Sequence, residues 1–367
     1  MLAQLTPRAT PTARRLRSTV LSGEEWLAAW HELPARVREV YYHPHFASTC
    51  GRWEGARAQC LLVEGSRDRR LLYPYLRHPI LGYESVAGPC CDVQTPYGYG
   101  GPLFLGDWDL DDQRRALDAV ADHLRHTGPI AEFVRCHTEW LDAAALEYCG
   151  YRTRLVRTNV EYDLPEGAVA GLGSDWDNGA RYQLKQAHRC GLRYRVSRAA
   201  NDLAAFEKLY ALTAERVNMA RACRFDHDYY RGLLELDPVQ AKLILVETAE
   251  HRPAAGAILF LGGTLAHFHL AGSDFALQSL RGNVLLYWAA AREAAATGCQ
   301  RIVWGGGTTN DPQDSLFLFK AQYGRRRTPV HIATRVLDGD RYSAICDEWS
   351  RRHPEKAKTK LFLKYRA

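Results

Sequence analysis

Lysine is scarce in this sequence. Among 48 basic side chains in 367 residues only eight are lysine, and none precedes Lys185. Arginine dominance of this kind makes any interior lysine, Lys320 above all, worth asking about. There is no run of about 18 apolar residues, which excludes a transmembrane helix. The Arg14-Arg15 pair near the start is not followed by the long apolar segment an export signal needs. Residues 1–20 are therefore expected to be a mobile tail, and the protein cytoplasmic. Ten cysteines are spread from Cys50 to Cys346 without a C-x-x-C pair. The adjacent Cys90 and Cys91 are unsuited to holding one tetrahedral metal. Reduced, mostly buried thiols are expected, with no metal and no cofactor.

What is present is an ordinary globular composition, 46% hydrophobic and 25% charged, in a chain long enough for two cores. Its net charge of +6 is unevenly placed. Residues 1–165 hold 19 arginines against 21 acids, a net of −2, and residues 166–367 hold 29 basic against 21 acidic side chains, a net of +8. Three clusters supply the excess: Arg181, Lys185, Arg189, Arg193, Arg195 and Arg198; Arg325, Arg326 and Arg327; and the tail 351–366. A polyanionic partner such as RNA would suit this asymmetry. Solvated helix faces would also account for each cluster taken alone.

Along the chain, Ser22 with Glu25 reads as an N-capped helix start. Residues 56–65 and 69–78 read as two strands, and 109–128 as a helix with Leu110, Leu117, Val120, Ala121 and Leu124 on one face, closed by Gly128. Between them lies a Gly-Tyr-Pro-rich loop. Strands follow near 132–137 and 157–164. The second half repeats the order. It has a basic helix with Arg181, Lys185, His188 and Arg189 on one face, a strand at 192–198, a strong helix at 201–217, and strands at 241–249, 254–263 and 264–273. A long apolar helix ending at Gly298, a strand leading to Gly305-Gly306-Gly307 and a helix carrying Lys320 complete it. Each half is an α/β (α+β) unit of helices flanking a mixed sheet. The boundaries expected are 21–165 and 166–335, with 336–367 returning to the first domain.

In the second half, strand, loop, helix and strand follow in the order of GNAT acetyltransferases, where a Gly-rich loop offers N–H groups to a pyrophosphate at the helix start. Here that loop, Gln278 to Asn283, keeps Arg281-Gly282 but lacks a second glycine, which speaks against coenzyme A chemistry. A set of strings occurs in order: Thr95-Pro96-Tyr97-Gly98-Tyr99-Gly100-Gly101; the basic helix from Arg181 to Arg189; Leu212 to Arg216; His267 to Leu270 with Gly272-Ser273; Asn283; Trp304-Gly305-Gly306-Gly307; and Leu318-Phe319-Lys320 with Tyr323-Gly324. Together they make the chain resemble the Fem-type aminoacyltransferases, tandem GNAT-like proteins. The resemblance runs from about residue 25 to Tyr365-Arg366. It implies transfer of an aminoacyl group from tRNA to an amine acceptor, with relatives in peptidoglycan bridging and in antibiotic assembly.

An aminoacyl ester is already activated, so such an enzyme holds a neutral amine against the carbonyl and stabilises the oxyanion. Lys320 matches the family's functional lysine, and Asp92 is a candidate to accept the amine's proton. A surface lysine that snorkels and a polar turn are the plain alternatives. Tyr97 and Tyr99 are expected to wall the acceptor, joined by Arg216, Tyr230, His269, Ser273, Gly305, Gly306 and Asn310. Asp314 reads equally well as a helix cap. His267 and His269 share a strand face without a visible third ligand. Arg181, Lys185, Arg189, Arg325, Arg326 and Arg327 are expected to hold the tRNA, and the protein to be a monomer.

One departure narrows the acceptor. Peptidoglycan members of the family grip a nucleotide diphosphate with a first-domain lysine, and none exists here. Arg52, Arg57 and Arg77 are the possible substitutes. The expected acceptor is thus a small-molecule or peptide-like natural product. Peptidoglycan bridging, acyl-CoA-dependent N-acylation and a non-catalytic RNA-binding role are the alternatives.

Overall fold

The computed structural model describes residues 16–65, 68–165, 171–237 and 240–367. Its first half runs β1 (Arg17–Leu21), α1 (Gly23–His31), α2 (Pro44–Glu54), β2 (Arg57–Glu64), β3 (Arg70–Ile80), β4 (Cys90–Gln94), β5 (Leu103–Leu105), α3 (Leu110–Thr127), β6 (Pro129–Arg135), α4 (Ala143–Tyr148) and β7 (Arg152–Asp163). The second half runs α5 (Asn178–Arg189), β8 (Arg193–Ser197), α6 (Ala200–Arg216), α7 (His227–Leu234), β9 (Ala241–Glu247), β10 (Pro253–Gly262), β11 (Leu265–Ser273), α8 (Gly282–Ala296), β12 (Arg301–Gly305), α9 (Ser315–Ala321), β13 (Arg326–Val336) and α10 (Gly339–Arg352).

Local chemistry explains the starts and stops. The Ser22 hydroxyl accepts the Glu25 N–H while the Glu25 carboxylate accepts the Ser22 N–H, a reciprocal cap on α1. Asp109 caps α3, and Gly128 ends it in the left-handed region at φ 100°. Leu117, Val120, Ala121 and Leu124 are buried as expected, but Leu110 is 49% exposed, so the apolar face begins later than the spacing suggests. The expected tail is corrected at its end: residues 17–21 form β1 and pair antiparallel with β2, and only residues 1–15 of it lie outside the described residues.

All strands join one mixed sheet in the order β1-β2-β3-β4-β6-β13-β7-β12-β11-β10-β9-β8, with β5 beside β3. Pairing is antiparallel except at two places, β4 with β6 and β11 with β12. Each half thus has four antiparallel strands, then a helix (α3 or α8), then one parallel strand. The final strands are exchanged. β7, from the first half, pairs with β12 of the second, and β13, from the second, pairs with β6 of the first. β7 and β13 pair with each other along Arg152–Glu161 and close the seam.

The cores follow this interlocking. One gathers side chains of both halves, among them Trp26, Tyr41, Phe46, Phe206, Tyr229 and Phe260. One lies under α8 in the second half and another under α3 in the first. A smaller one joins Ile80, Cys90 and Ile130 to Ile345, Trp349 and Tyr365, so the C-terminal segment packs back on the first half. All ten cysteines are free thiols, and eight are buried.

Candidate active site

The parallel pairing of β11 with β12 ends at His267–Val303, where β12 turns toward β7 through a register shift before Gly305. His269 on β11 and the glycine run after β12 therefore lie at the splayed end of the sheet. Asp314 fixes that glycine loop to α9. Its carboxylate accepts from the N–H groups of Leu316 and Phe317 at the helix start and from Thr308 N–H at 2.9 Å across the loop. The Thr308 hydroxyl above all, with the N–H groups of Phe317, Thr308 and Thr309, holds its carboxyl well below the usual range, and Asp314 is the cap.

Lys320, one turn into α9, is half-buried and donates from Nζ to the Gly306 carbonyl at 2.9 Å. Gly306 has no room for a side chain, because a Cβ there would stand 2.5 Å from the Thr158 carbonyl oxygen. The same position is 3.1 Å from Cδ of Arg157, so Arg157 on β7 and Lys320 flank one residue. Burial, and then the Arg157 charge, bring the Lys320 ammonium down to about 7, partly offset by Asp314. Neither cation forms an ion pair among the described residues, and Arg157 Nε is buried without a partner. Two basic groups with no ion-paired carboxylate beside a fixed backbone loop form a receptive place for an anion or a developing oxyanion.

The loop after β4 meets this place from the first half. Tyr99 is buried, and its hydroxyl accepts from Asn159 Nδ2 at 2.8 Å. Tyr97 is half-buried, with its ring 5.7 Å from that of His269 and 5.1 Å from that of Phe225. Arg157 acts on both tyrosines, which ties this aromatic wall to Lys320. His269 stacks on Phe260 at 4.1 Å, with Nδ1 3.2 Å from the Tyr41 hydroxyl and Nε2 3.5 Å from that of Tyr229. Burial, helped by His267, lowers its imidazole to about 3, so it is neutral near pH 7 and acts as a hydrogen-bonding wall.

A cluster not anticipated from the sequence lies beneath. His137 Nε2 and His267 Nε2 are 2.8 and 3.0 Å from a single oxygen of Glu39, and all three residues are buried. Three such donors are the minimum of a zinc site. However, His137 Nδ1 accepts the Glu139 N–H at 3.2 Å, which puts the ring proton on Nε2 and leaves no lone pair there for a metal. The cluster is a clamp in which two imidazole N–H groups from different halves share one carboxylate. Burial pushes Glu39 up, but the two histidines pull it further down, to about 2. A carboxyl held below its unfolded value stabilises the fold fully above about pH 4.5, and this is lost as pH falls through about 2. Glu39→Gln is expected to cost about 3 kcal/mol at neutral pH and to flatten the loss of stability below pH 4.5, as read by urea denaturation across that range.

Several expected site residues are placed elsewhere. Asp92 is fully buried on β4, ion-paired at 2.6 Å with Nε of Arg366 from the C-terminal segment. It stands four strand spacings, roughly 19 Å, from β12 and does not reach Lys320. Tyr230 is core, packed between Phe206 and Tyr210, and its neighbour Tyr229 reaches His269 instead. Arg216 is exposed over the Phe275 ring. Ser273 ties β11 to α6 through Thr213 and to α8 through Asn283. Asn310 is exposed on the glycine loop, with no contact to the Lys320 group.

The basic candidates do share one side. Asp177 N–H bonds the Gln322 carbonyl at 3.1 Å, which joins the start of α5 to the end of α9, and Arg325 reaches the Asp175 carbonyl. Arg181, Lys185 and Arg189 are exposed along α5. Arg326 pairs with Asp163, and Arg327 lies over the Phe317 ring. No helix among the described residues is long and apolar enough to cross a membrane.

This fold defines a class, the tandem GNAT acyltransferase fold in its Fem-like form. Residues 176–312 match the acetyltransferase (GNAT) domain family, and no curated protein matches the chain by sequence. The crystal structure of FemX is similar at a TM-score of 0.67 and 14% identity, over 89% of this chain and 99% of that one. The C-terminal domain (DUF2156) of a putative lysylphosphatidylglycerol synthetase from Agrobacterium fabrum is similar at 0.55 and 12%, over 90% and 97% of the two chains. A tandem GNAT protein from the clavulanic acid biosynthesis pathway is similar at 0.51 and 11%, over 88% and 99%.

Proposed function

We propose that the protein is an aminoacyl-tRNA-dependent aminoacyltransferase, forming an amide between a tRNA-borne amino acid and the amine of a small-molecule or peptide-like natural product. The observation that carries this reading is the pair Arg157 and Lys320, basic groups with no ion-paired carboxylate beside the Gly306 carbonyl, next to the basic side of α5 and β13. In the proposed step a neutral acceptor amine attacks the ester carbonyl, and Arg157 with Lys320 stabilises the oxyanion. The ribose oxygen leaves and takes a proton, and the new amide nitrogen loses one. Tyr97, Tyr99 and His269 wall the acceptor. The RNA backbone lies along Arg181, Lys185, Arg189 and Arg325 to Arg327, in a monomeric, cytoplasmic enzyme without a cofactor.

Two features favour this over acyl-CoA chemistry. Gly282, at the start of α8, packs a would-be Cβ 3.3 Å from Ala254 and so serves helix–strand contact. Near the end of the β11–β12 pairing, Phe268, Tyr287, Trp304, Phe319 and Tyr323 pack against one another at tilted and edge-on angles. Two of the three expected substitutes for a diphosphate grip are engaged within the protein. Arg77 is spent on the Thr127 carbonyl, Arg52 on the Thr49 hydroxyl, and Arg57 is exposed on β2. The clavulanic acid origin of one similar structure is in keeping with a natural-product acceptor.

The test is incubation with a pool of labelled aminoacyl-tRNAs and candidate amines, with and without ribonuclease. Amide formation abolished by ribonuclease is expected. Transfer that survives ribonuclease and follows added acyl-CoA would overturn the donor assignment, and efficient transfer to a UDP- or lipid-linked muropeptide would overturn the acceptor assignment.

A further inference from the structure

A third basic cluster has no part in this chemistry. Residues 351–366 carry seven basic side chains against the single acid Glu355, and four of the chain's eight lysines. The segment is pinned to α10 and to the first half: the Tyr342 hydroxyl bonds the Phe362 carbonyl at 2.6 Å, the Tyr83 hydroxyl bonds that of Tyr365 at 3.1 Å, and Arg366 holds Asp92. Its cations are thereby displayed on a fixed platform. Lys356, Lys358 and Lys360 are exposed and form no ion pair among the described residues, whereas Lys364 turns inward to the Ser350 hydroxyl.

Two aliphatic side chains adjoining residues of one small core are exposed. Leu81 is 79% exposed and Leu361 is 53% exposed. Leu81 follows Ile80, and Leu361 precedes Phe362; both of these neighbours belong to the small core around Trp349 and Tyr365. Arg352 reaches the Gly82 carbonyl, which brings the end of α10 to the same loop. Aliphatic tips contribute nothing to contact with RNA phosphates and cannot stack on bases as aromatic rings do. Lysines around protruding leucines suit an interface that is negatively charged outside and apolar just within.

We propose that this face docks peripherally on an anionic lipid bilayer, with Lys356, Lys358 and Lys360 over the headgroup phosphates and Leu81 and Leu361 entering the interface. The proposal is independent of the identity of the acyl donor. Each basic residue held at an anionic surface strengthens binding by roughly fivefold, so removing three lysines should weaken it by on the order of 100-fold, and reversing their charge by more.

The experiment is co-sedimentation of the full-length protein with vesicles of equimolar phosphatidylglycerol and phosphatidylcholine, and with phosphatidylcholine alone. Binding to the first only is expected. It should be lost in a K356E/K358E/K360E variant and weakened in Leu81→Asp and Leu361→Asp, with retention of tRNA on filters unchanged in all three. A triple lysine-to-alanine variant, checked by its melting temperature, covers the case in which charge reversal unfolds the segment. Failure to sediment with anionic vesicles would overturn the proposal. So would indifference to both leucine changes together with loss of tRNA binding in the lysine variants, which would make this face an RNA contact.

Discussion

Lys320→Ala is expected to lower amide-forming turnover by roughly 10²–10³-fold, the usual cost of removing one donor from an oxyanion site, while leaving the protein folded. The change removes a charge beside Gly306 and exposes no apolar core, since no residue of α9 is buried. The pH profile separates two roles. With the ammonium brought down to about 7, a cationic role makes the lysine-dependent rate fall as pH rises through that value, whereas a role as base makes it rise. Stability moves in a definite direction too. The folded value lies below the ordinary 10.5, so the folded state carries a charge it disfavours at low pH and is relieved of it as pH rises from about 7 toward 10.5. Lys320→Met should therefore stabilise the protein relative to the parent at about pH 6, and the advantage should shrink in alkali, as chemical denaturation at the two extremes would report. A variant with unchanged turnover would remove Lys320 from the mechanism.

Arg335→Ala is expected to destabilise the protein by about 3–5 kcal/mol, among the largest effects of any single substitution outside the site. Arg335 on β13 donates to Glu132 on β6 from Nε at 3.0 Å and from Nη2 at 2.8 Å, and Nη1 reaches the Leu117 carbonyl. The other Glu132 oxygen accepts from the hydroxyls of Tyr73 at 2.7 Å and Tyr151 at 2.9 Å. Glu132 is fully buried and Arg335 is 8% exposed, so truncating the arginine strands a carboxylate with two phenols and no cation. The double change Arg335→Met with Glu132→Leu should recover much of the loss, because it removes both desolvated charges. Denaturation midpoints of the two variants test this. A double variant no better than Arg335→Ala would mean that the phenols, rather than the ion pair, set the stability.

The elements whose termini carry their own chemistry were legible in the sequence, as at Ser22 with Glu25 and at Asp109 with Gly128. Of the seam strands β7 was legible too, but β13 was not, and neither was β4 further along the sheet. β13 begins with two arginines, directly after Arg325, and contains Pro329, so its register was hidden behind what reads as a charge cluster, and β4 lay inside a loop rich in glycine and proline. Lys320 stood out because lysine is rare, whereas Arg157 is one of many arginines and only its place on β7 distinguishes it. Glu39 and His137 meet His267 across 228 and 130 residues of chain, a distance no local spacing reports. Tyr229 and Tyr230 are both buried and differ by one position on α7, which turns Tyr229 toward His269 and Tyr230 toward Phe206 and Tyr210; composition alone does not choose between them.

The exchange of final strands also bears on how the chain is made. β7 leaves the ribosome early, yet one of its partners, β13, lies roughly 170 residues downstream, a wait of about ten to thirty seconds at ordinary elongation rates. Until the second half is made, β6 presents one unsatisfied edge and β7, whose partners β12 and β13 both lie in that half, presents two. The arginines at 152, 154 and 157 give the waiting β7 a like-charged rim, and a charged edge of that kind discourages neighbouring nascent chains from pairing with it before its own partner arrives.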